Sequence, residues 1–248
     1  TQATVNRWSN RVPASNQPLD CTFVNGGQRV IYNVGAYYSG SPFKTRNFNT
    51  PTGNPCDYNF RFPADDPLLG ARVLEVVYPG NVAGDDPTAQ REQLAYWVAR
   101  QLGLPFNARR FVNLFVNGTR RGTILEDTQV PNRDVLEELF PDDAAGELFK
   151  TAIWYETDDV RTDDFGASRV DARMANFTTT GGVKKTARYR WNFQPHAVRG
   201  AANDFTNWFG LVDALNGPDA GYAAAVEAVA DVGQWMRVFA FEHLAGQW

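Results

Sequence analysis

The feature that most constrains the fold is a hairpin pattern in the middle of the chain. Val112, Leu114 and Val116 occupy every second position and would share one face of a strand, and Thr123 to Leu125 form a second extended run. Asn117-Gly118 stands between them, and both residues tolerate the positive φ of a tight type I′ turn. The sequence therefore predicts an antiparallel hairpin over 110–126.

A helix is predicted immediately before this hairpin, over 87–102. Asp86 can cap it, Pro87 suits its first position, and Gly103 with Pro105 ends it. Apolar residues recur at helical spacing at Leu94, Trp97, Val98 and Leu102. We expect the Leu94/Trp97/Val98 face to pack beside the hairpin.

The other elements divide unevenly along the chain. Residues 1–20 show no period and are expected to form an arm or loop. Strands are predicted at 21–38, where Val30, Tyr32 and Val34 alternate, and at 58–62, 73–78 and 189–193; helices are predicted at 132–140, 203–216 and 219–246, with a break near Gly233. Strands dominate early and helices late, so the fold class is α+β, in two lobes.

Composition excludes several classes of function. The 248 residues carry 24 basic and 28 acidic side chains, a net charge of −4 that argues against a nucleic-acid binder. Only four of the basic residues are lysines: Lys44, Lys150, Lys184 and Lys185. No apolar run approaches the ~20 residues that a membrane span requires.

Two cysteines, Cys21 and Cys56, lie in the N-terminal quarter. Two cysteines without nearby histidines cannot make a four-ligand zinc site. We expect them to form a disulfide if the protein is exported, and two unrelated buried thiols are an equal alternative.

The common catalytic motifs are absent. The chain has no phosphate-binding loop of the G-x-x-x-x-G-K-[ST] type, no H-E-x-x-H and no G-x-S-x-G. His196 and His243 are the two histidines, and neither has the context of a nucleophile-activating base. Asp158-Asp159 and Asp163-Asp164 could hold a hard cation, but solvated loop charge is the default interpretation, and no metal site is assigned.

Five segments in order resemble the CotH kinase family, atypical kinases of the spore coat protein H type. They are RVIYNVGAYYSGSPF (29–43), REQLAYWVARQLGLP (91–105), FVNLFVNGTRRGTILED (111–127), GELFK (146–150) and VADVGQWMRVFAFEHLAGQW (229–248). The resemblance spans about residues 20–248. It implies a protein-kinase-like fold with an arm at 1–20, a strand-rich small lobe at 21–127 and an incomplete helix-rich large lobe at 128–248, with a hinge at 128–133.

The resemblance also implies a nucleotide site for ATP and Mg²⁺. Gly40 and Ser41 match a loop that could cover phosphates, Glu126 matches the family's glutamate at the end of the hairpin, and Lys150 matches a strand-end lysine. Each has a structural alternative. Gly40 and Ser41 could simply form a turn, Glu126 could pair with an arginine, and Lys150 could be the solvated end of a strand. Arg61 is the one cation in 56–62, where the family commonly has lysines, and the two are not geometrically equivalent.

The catalytic aspartates that the resemblance implies would lie beyond Trp248, so we expect this segment to show little phosphoryl transfer. The implied activity of the parent protein is transfer of phosphate from ATP to Ser, Thr or Tyr of a protein substrate. The alternative is a non-catalytic structural or binding module of a surface or spore coat. Either would place the protein outside a bacterial cell, in its envelope or on its spore. A metal-dependent hydrolase has no ligand cluster to support it.

Overall fold

The structure, a computed structural model, describes residues 1–10, 17–39, 57–79, 86, 88–152, 154–155 and 169–246. These residues form two compact units. The sheet unit contains the described residues of Thr1–Arg100 and Phe106–Val130, and the helical unit contains those of Gln101–Pro105, Pro131–Tyr155 and Ser168–Trp248. Strands and helices both contribute, so the fold class is α+β.

The sheet unit is built on one antiparallel sheet of six strands. Its elements are α1 (Gln2–Asn10), β1 (Leu19–Asn25), β2 (Arg29–Ser39), β3 (Asp57–Arg61), β4 (Val73–Val77), α2 (Arg91–Gln101), β5 (Arg109–Val116) and β6 (Thr119–Gln129). The strand order is β1-β2-β3-β4-β6-β5. Neighbours in sequence are therefore neighbours in space, except that β6 lies between β4 and β5.

Alternation of side chains gives this sheet one apolar face. Ile31, Val34, Phe60, Leu74 and Leu125 belong to a buried cluster on that face. Trp8 of α1 belongs to the same cluster, so the expectation of a loop throughout 1–20 is wrong. The helix forms because its tryptophan gains burial against the sheet, a tertiary contact that local period does not reveal.

The predicted alternation of Val30, Tyr32 and Val34 is also wrong. Val34 is fully buried but Val30 and Tyr32 are exposed, and Ile31 is buried instead. Asn33 has a φ of 57°, and the register of β1 with β2 shifts between Cys21 and Phe23. This bulge adds a residue to β2 and reverses which side chains face the core.

The hairpin over β5 and β6 is confirmed. Asn117 and Gly118 have φ values of 49° and 80°, as a type I′ turn requires. A helix precedes it as predicted, but α2 begins at Arg91 rather than at 87, so Asp86 does not occupy the cap position that the sequence suggested. Its predicted apolar face is also wrong: Leu94 and Trp97 are about 60% exposed, and the buried residues are Ala95 and Ala99. Ala95 and Ala99 are small and lie four positions apart on one face. The helix therefore packs with its backbone close to its neighbours, and its large apolar side chains stay at the surface.

The helical unit has short elements. They are α3 (Arg133–Leu139), a 3-10 turn (Pro141–Asp143), β7 (Leu148–Thr151), β8 (Trp154–Tyr155), β9 (Arg169–Val170), α4 (Thr186–Asn192), β10 (Phe193–Ala197), α5 (Thr206–Leu215), α6 (Tyr222–Glu227) and α7 (Val232–Ala245). β7 pairs with β10, and β8 with β9. The Asn132 cap of α3 and the interruption before Gly233 match the sequence predictions.

The predicted strand at 189–193 is wrong, because α4 covers most of it. Tyr189 and Phe193 are buried while Trp191 between them is 38% exposed. The two buried rings, four positions apart, fit a helical turn as well as they fit alternation. They pack with Phe205 and Val212 in the core of this unit.

A single arginine fastens the start of α3. Arg133 donates from Nη1 to the carbonyls of Ala144 and Gly146, the latter at 2.9 Å, and from Nη2 to the carbonyl of Val198 at 2.7 Å. Three chain segments are thus held by one guanidinium.

Cys21 on β1 is a free thiol that packs against the core of the sheet unit. Burial, and then the charge of Asp20, raises the pKa of this thiol to about 11. Cys56, its expected partner, lies outside the described residues, so the disulfide stays a prediction.

Among the helices that the structure describes, none is both long and apolar enough to span a bilayer.

Candidate functional site

The face of the sheet opposite the core carries a row of polar side chains. Antiparallel pairing sets Tyr37 opposite Asn59, Asn59 opposite Glu75, Glu75 opposite Thr128 and Thr128 opposite Arg109. Residues that pair directly point to the same face. These residues, with Arg61 and Glu126 two positions along their strands, form what we call the polar face.

A chain of charges crosses the polar face between helix and hairpin. Nη1 of Arg109 donates to Oε2 of Glu126 at 2.8 Å and also pairs with Oε2 of Glu92 on α2. Glu126 is 1% exposed, Arg109 12% and Glu92 45%. One buried cation is therefore shared between a buried carboxylate and a carboxylate on the surface of α2.

The surroundings of Arg109 hold its charge firmly. Burial alone would lower its pKa, but Glu92, Tyr96 and Glu126 outweigh burial and raise the pKa above its ordinary value. The guanidinium carbon lies 5.0 Å from the centre of the Tyr96 ring, within the range of a cation–π contact. Two residues of α2 thus contact an arginine of the hairpin, which confirms that helix and hairpin pack together.

Several buried polar atoms of this face have no hydrogen-bond partner among the described residues. They are Oδ1 of Asn59, Oε1 of Glu126, Oγ1 of Thr128 and Nε of Arg109, with Nε2 of Gln93 on α2. Buried polar atoms are usually paired, and an unpaired one costs about 1–3 kcal/mol. The set contains both donors and acceptors, so it matches a ligand edge that offers both.

The structure does not bring Arg61 and Glu126 together. Arg61 pairs with Val73 at one end of β4, and Glu126 pairs with Val77 at the other. With ~3.3 Å per residue and ~4.8 Å between strands, their Cα atoms are roughly 16 Å apart. Arg61 donates from Nε to the Tyr37 hydroxyl at 3.2 Å, and its guanidinium stacks on that ring. No carboxylate within the described ranges pairs with Arg61.

The other predicted residues are spread over the chain. Lys150 lies on β7 of the helical unit, where it is exposed and opposite Gln194 of β10. Gly40 and Ser41 lie outside the described residues, as do Asp158-Asp159 and Asp163-Asp164. Their proposed roles stay predictions.

Glu92 and Arg109 are the residues of this site that sequence reasoning missed. Glu92 reads as an ordinary acid in the first turn of a helix, and Arg109 is one of two arginines that open a strand. Their pairing depends on the distance between helix and hairpin, so no local motif announces it. Of the three charged residues, the sequence predicted only Glu126. It offered pairing with an arginine as the structural alternative for Glu126, and Arg109 forms that pair.

Within the described part of the chain, no group of three or more His, Cys, Asp or Glu side chains could hold a metal ion. The family model described as CotH kinase protein matches residues 80–248, which include Glu92, Arg109 and Glu126. No curated protein matches the chain.

Proposed function

The chain belongs to the CotH kinase family, and from this premise we propose that its sheet unit is the nucleotide-binding part of a domain that transfers phosphate from ATP to hydroxyl groups of a protein. The observation that carries the proposal is the Glu92–Arg109–Glu126 chain. It couples a helix to a strand pair through a buried cation, and kinases require such a coupling for activity.

The order of elements supports a protein-kinase-like architecture. A strand (β4), a helix (α2) and a hairpin (β5–β6) follow one another, and a mainly helical unit comes next. In protein kinases a lysine on the strand before the helix pairs with a glutamate of the helix. Here β4 reads VLEVV and has no cation, so we propose that Arg109 holds the helix glutamate instead.

The polar face fits the nucleoside part of ATP better than its phosphates. A base and a ribose present donors and acceptors together, as the unpartnered Asn59, Thr128 and Arg109 atoms do. Phosphates present only acceptors, and on this face the exposed cation is Arg61. We therefore propose Asn59 and Thr128 as contacts of the nucleoside, while ATP would supply the phosphoryl group.

The described residues do not fit Mg²⁺, since they include no cluster of metal ligands. Mg²⁺ remains part of the proposed reaction through the family alone, and no residue of this chain is assigned to it.

One observation favours the alternative of a non-catalytic surface or spore-coat module. Glu75 stands on the polar face of β4, where its charge would repel phosphate. If this repulsion dominates, the same face binds no nucleotide and the unit serves assembly alone.

The test is ATP binding by the 248-residue chain, measured by calorimetry with Mg²⁺ or Mn²⁺ present. Glu92→Gln removes the charge that ties α2 to Arg109 at a half-exposed position, so the protein should stay folded while ATP affinity falls several-fold. Glu137→Gln, at an exposed position of α3, is the matched control and should bind as the unaltered chain does. Absence of binding by the folded chain would reject the nucleotide site and favour the assembly module.

A further inference from the structure

A groove in the helical unit contains none of the residues of the polar face. Phe177, Lys185, Thr186, Ala187, Arg188 and Trp191 line its volume of about 580 Å³. This volume falls within the range of sites that hold small molecules or the side chains of a peptide. Its walls are largely apolar, and its charged groups are basic.

The wall formed by Phe177 is fixed in place. Its backbone N–H donates to the Tyr189 hydroxyl at 2.9 Å, and its carbonyl accepts from the Lys185 N–H at 3.0 Å. The guanidinium carbon of Arg188 lies 4.5 Å from the centre of the Phe177 ring. Arg188 also donates to the Asp171 carbonyl and to Oδ1 of Asn192. A ligand would therefore meet a preformed surface, which lowers the entropy cost of binding.

The two neighbouring lysines differ in how their charge is used. Lys184 pairs with Asp213 and donates to Oδ1 of Asn176 at 2.7 Å, so its charge is compensated. Lys185 lines the groove, is exposed, and has no side-chain partner within the part of the chain that the structure describes. An uncompensated ammonium beside an exposed tryptophan favours a ligand with negative charge and a ring.

We propose that this groove binds an acidic peptide segment of a partner protein, with an aromatic side chain of that segment seated between Phe177 and Trp191. A nucleic acid also offers negative charge and rings, but it requires a broad cationic surface. Lys185 and Arg188 are the two cations that line the groove, too few to follow a nucleic-acid backbone but enough to pair with one or two carboxylates. An acidic peptide needs no more than these. The proposal does not depend on nucleotide binding or phosphoryl transfer.

The probe is a short fluorescein-labelled peptide in which glutamates flank one tyrosine, with binding followed by fluorescence anisotropy without nucleotide. Lys185→Gln should weaken binding about two- to fivefold, because it removes the exposed positive charge that pairs with a glutamate of the peptide. Trp191→Leu should weaken it about three- to tenfold, the value of one aromatic contact. Arg190→Gln removes an equal charge from α4, five residues after Lys185 and outside the groove, and should change affinity less than twofold.

Two altered probes test the chemistry of the ligand. Replacing the tyrosine of the peptide with serine should weaken binding to the unaltered chain more than it weakens binding to Trp191→Leu. Replacing the glutamates with lysines should abolish binding. The proposal is overturned if the original peptide does not bind, if Arg190→Gln weakens binding as much as Lys185→Gln, or if a single-stranded oligonucleotide binds more tightly than the peptide.

Discussion

Two arginines, one in each unit, are held in opposite ways. Arg109 contacts two carboxylates and an aromatic ring, and its Nε has no partner among the described residues. Arg133 contacts three backbone carbonyls and joins three segments of its own unit. At Arg109 the opposite charges balance, and one N–H donor is left without a partner. At Arg133 the charged group donates to neutral carbonyls and holds the backbone in place. A site that must meet a ligand keeps such spare capacity, and a structural fastening does not need it.

The largest expected effect comes from removing the cation of the first arrangement. Arg109→Met leaves Glu126 buried without its counter-charge, and breaking a buried pair in this way costs about 3–5 kcal/mol. Urea denaturation measures the loss, and amide hydrogen exchange should localise it to the sheet unit. Arg110→Met is the control, since the Arg110 side chain is 58% exposed and its pair with Asp127 is worth less than about 1 kcal/mol. Equal losses from the two variants would contradict a special role for Arg109.

Removing the structural arginine should cost less. Arg133→Met loses hydrogen bonds from a charged donor to three carbonyls, and we expect a free energy of unfolding lower by about 2 kcal/mol, with faster exchange confined to the helical unit. The neighbouring Arg199→Met should change it by less than about 0.5 kcal/mol, because that side chain is mostly exposed. Faster amide exchange in the sheet unit of Arg133→Met would contradict the conclusion that Arg133 stabilises the helical unit alone.

Helix α2 offers a test of which of its faces is packed. Ala99 is 1% exposed, so Ala99→Leu should overpack the contact and cost about 1–3 kcal/mol. Leu94→Gln, on the exposed face, should change stability by less than about 0.5 kcal/mol. The reverse ranking in thermal denaturation would restore the apolar face that the sequence predicted.

The smallest effect concerns the approach to α2. The Asp86 carboxylate accepts from the hydroxyl and N–H of Thr88 and from the N–H of Arg91. These hydrogen bonds lower the pKa of the Asp86 carboxyl to about 2, and the bond from the Thr88 hydroxyl contributes most. A lowered pKa means that the stabilisation is complete above about pH 4, the ordinary range, and is lost as pH falls through 2. Carboxyl chemical shifts measured by NMR should show this midpoint. A midpoint near 4 would show that the bonds do not form in solution.

The sequence predicted those elements whose signals are local. Asn117-Gly118 requires a tight turn whatever surrounds it, and Asn132 can cap α3 with its own side chain. Elements that depend on distant contacts were missed. The helix containing Trp8 forms against a sheet it precedes, and the bulge at Asn33 depends on pairing with β1.

The same distinction applies to the candidate site. Glu126 could be found because its segment resembles the CotH family, in which a glutamate stands near the end of the second hairpin strand. Arg109 could not, because its significance lies in Glu92 and Glu126, which are 17 residues away on either side. Arg61 was selected for its charge alone, and the register of β3 and β4 then places it at the other end of the sheet from Glu126.

The raised pKa of Cys21 imposes an order on events during maturation. With a pKa of about 11, about one thiol in a thousand is ionised at pH 8, and only the thiolate attacks a disulfide. Once β1 has docked, exchange at Cys21 is therefore slow. A disulfide at this cysteine is therefore expected to form faster before β1 docks than after it.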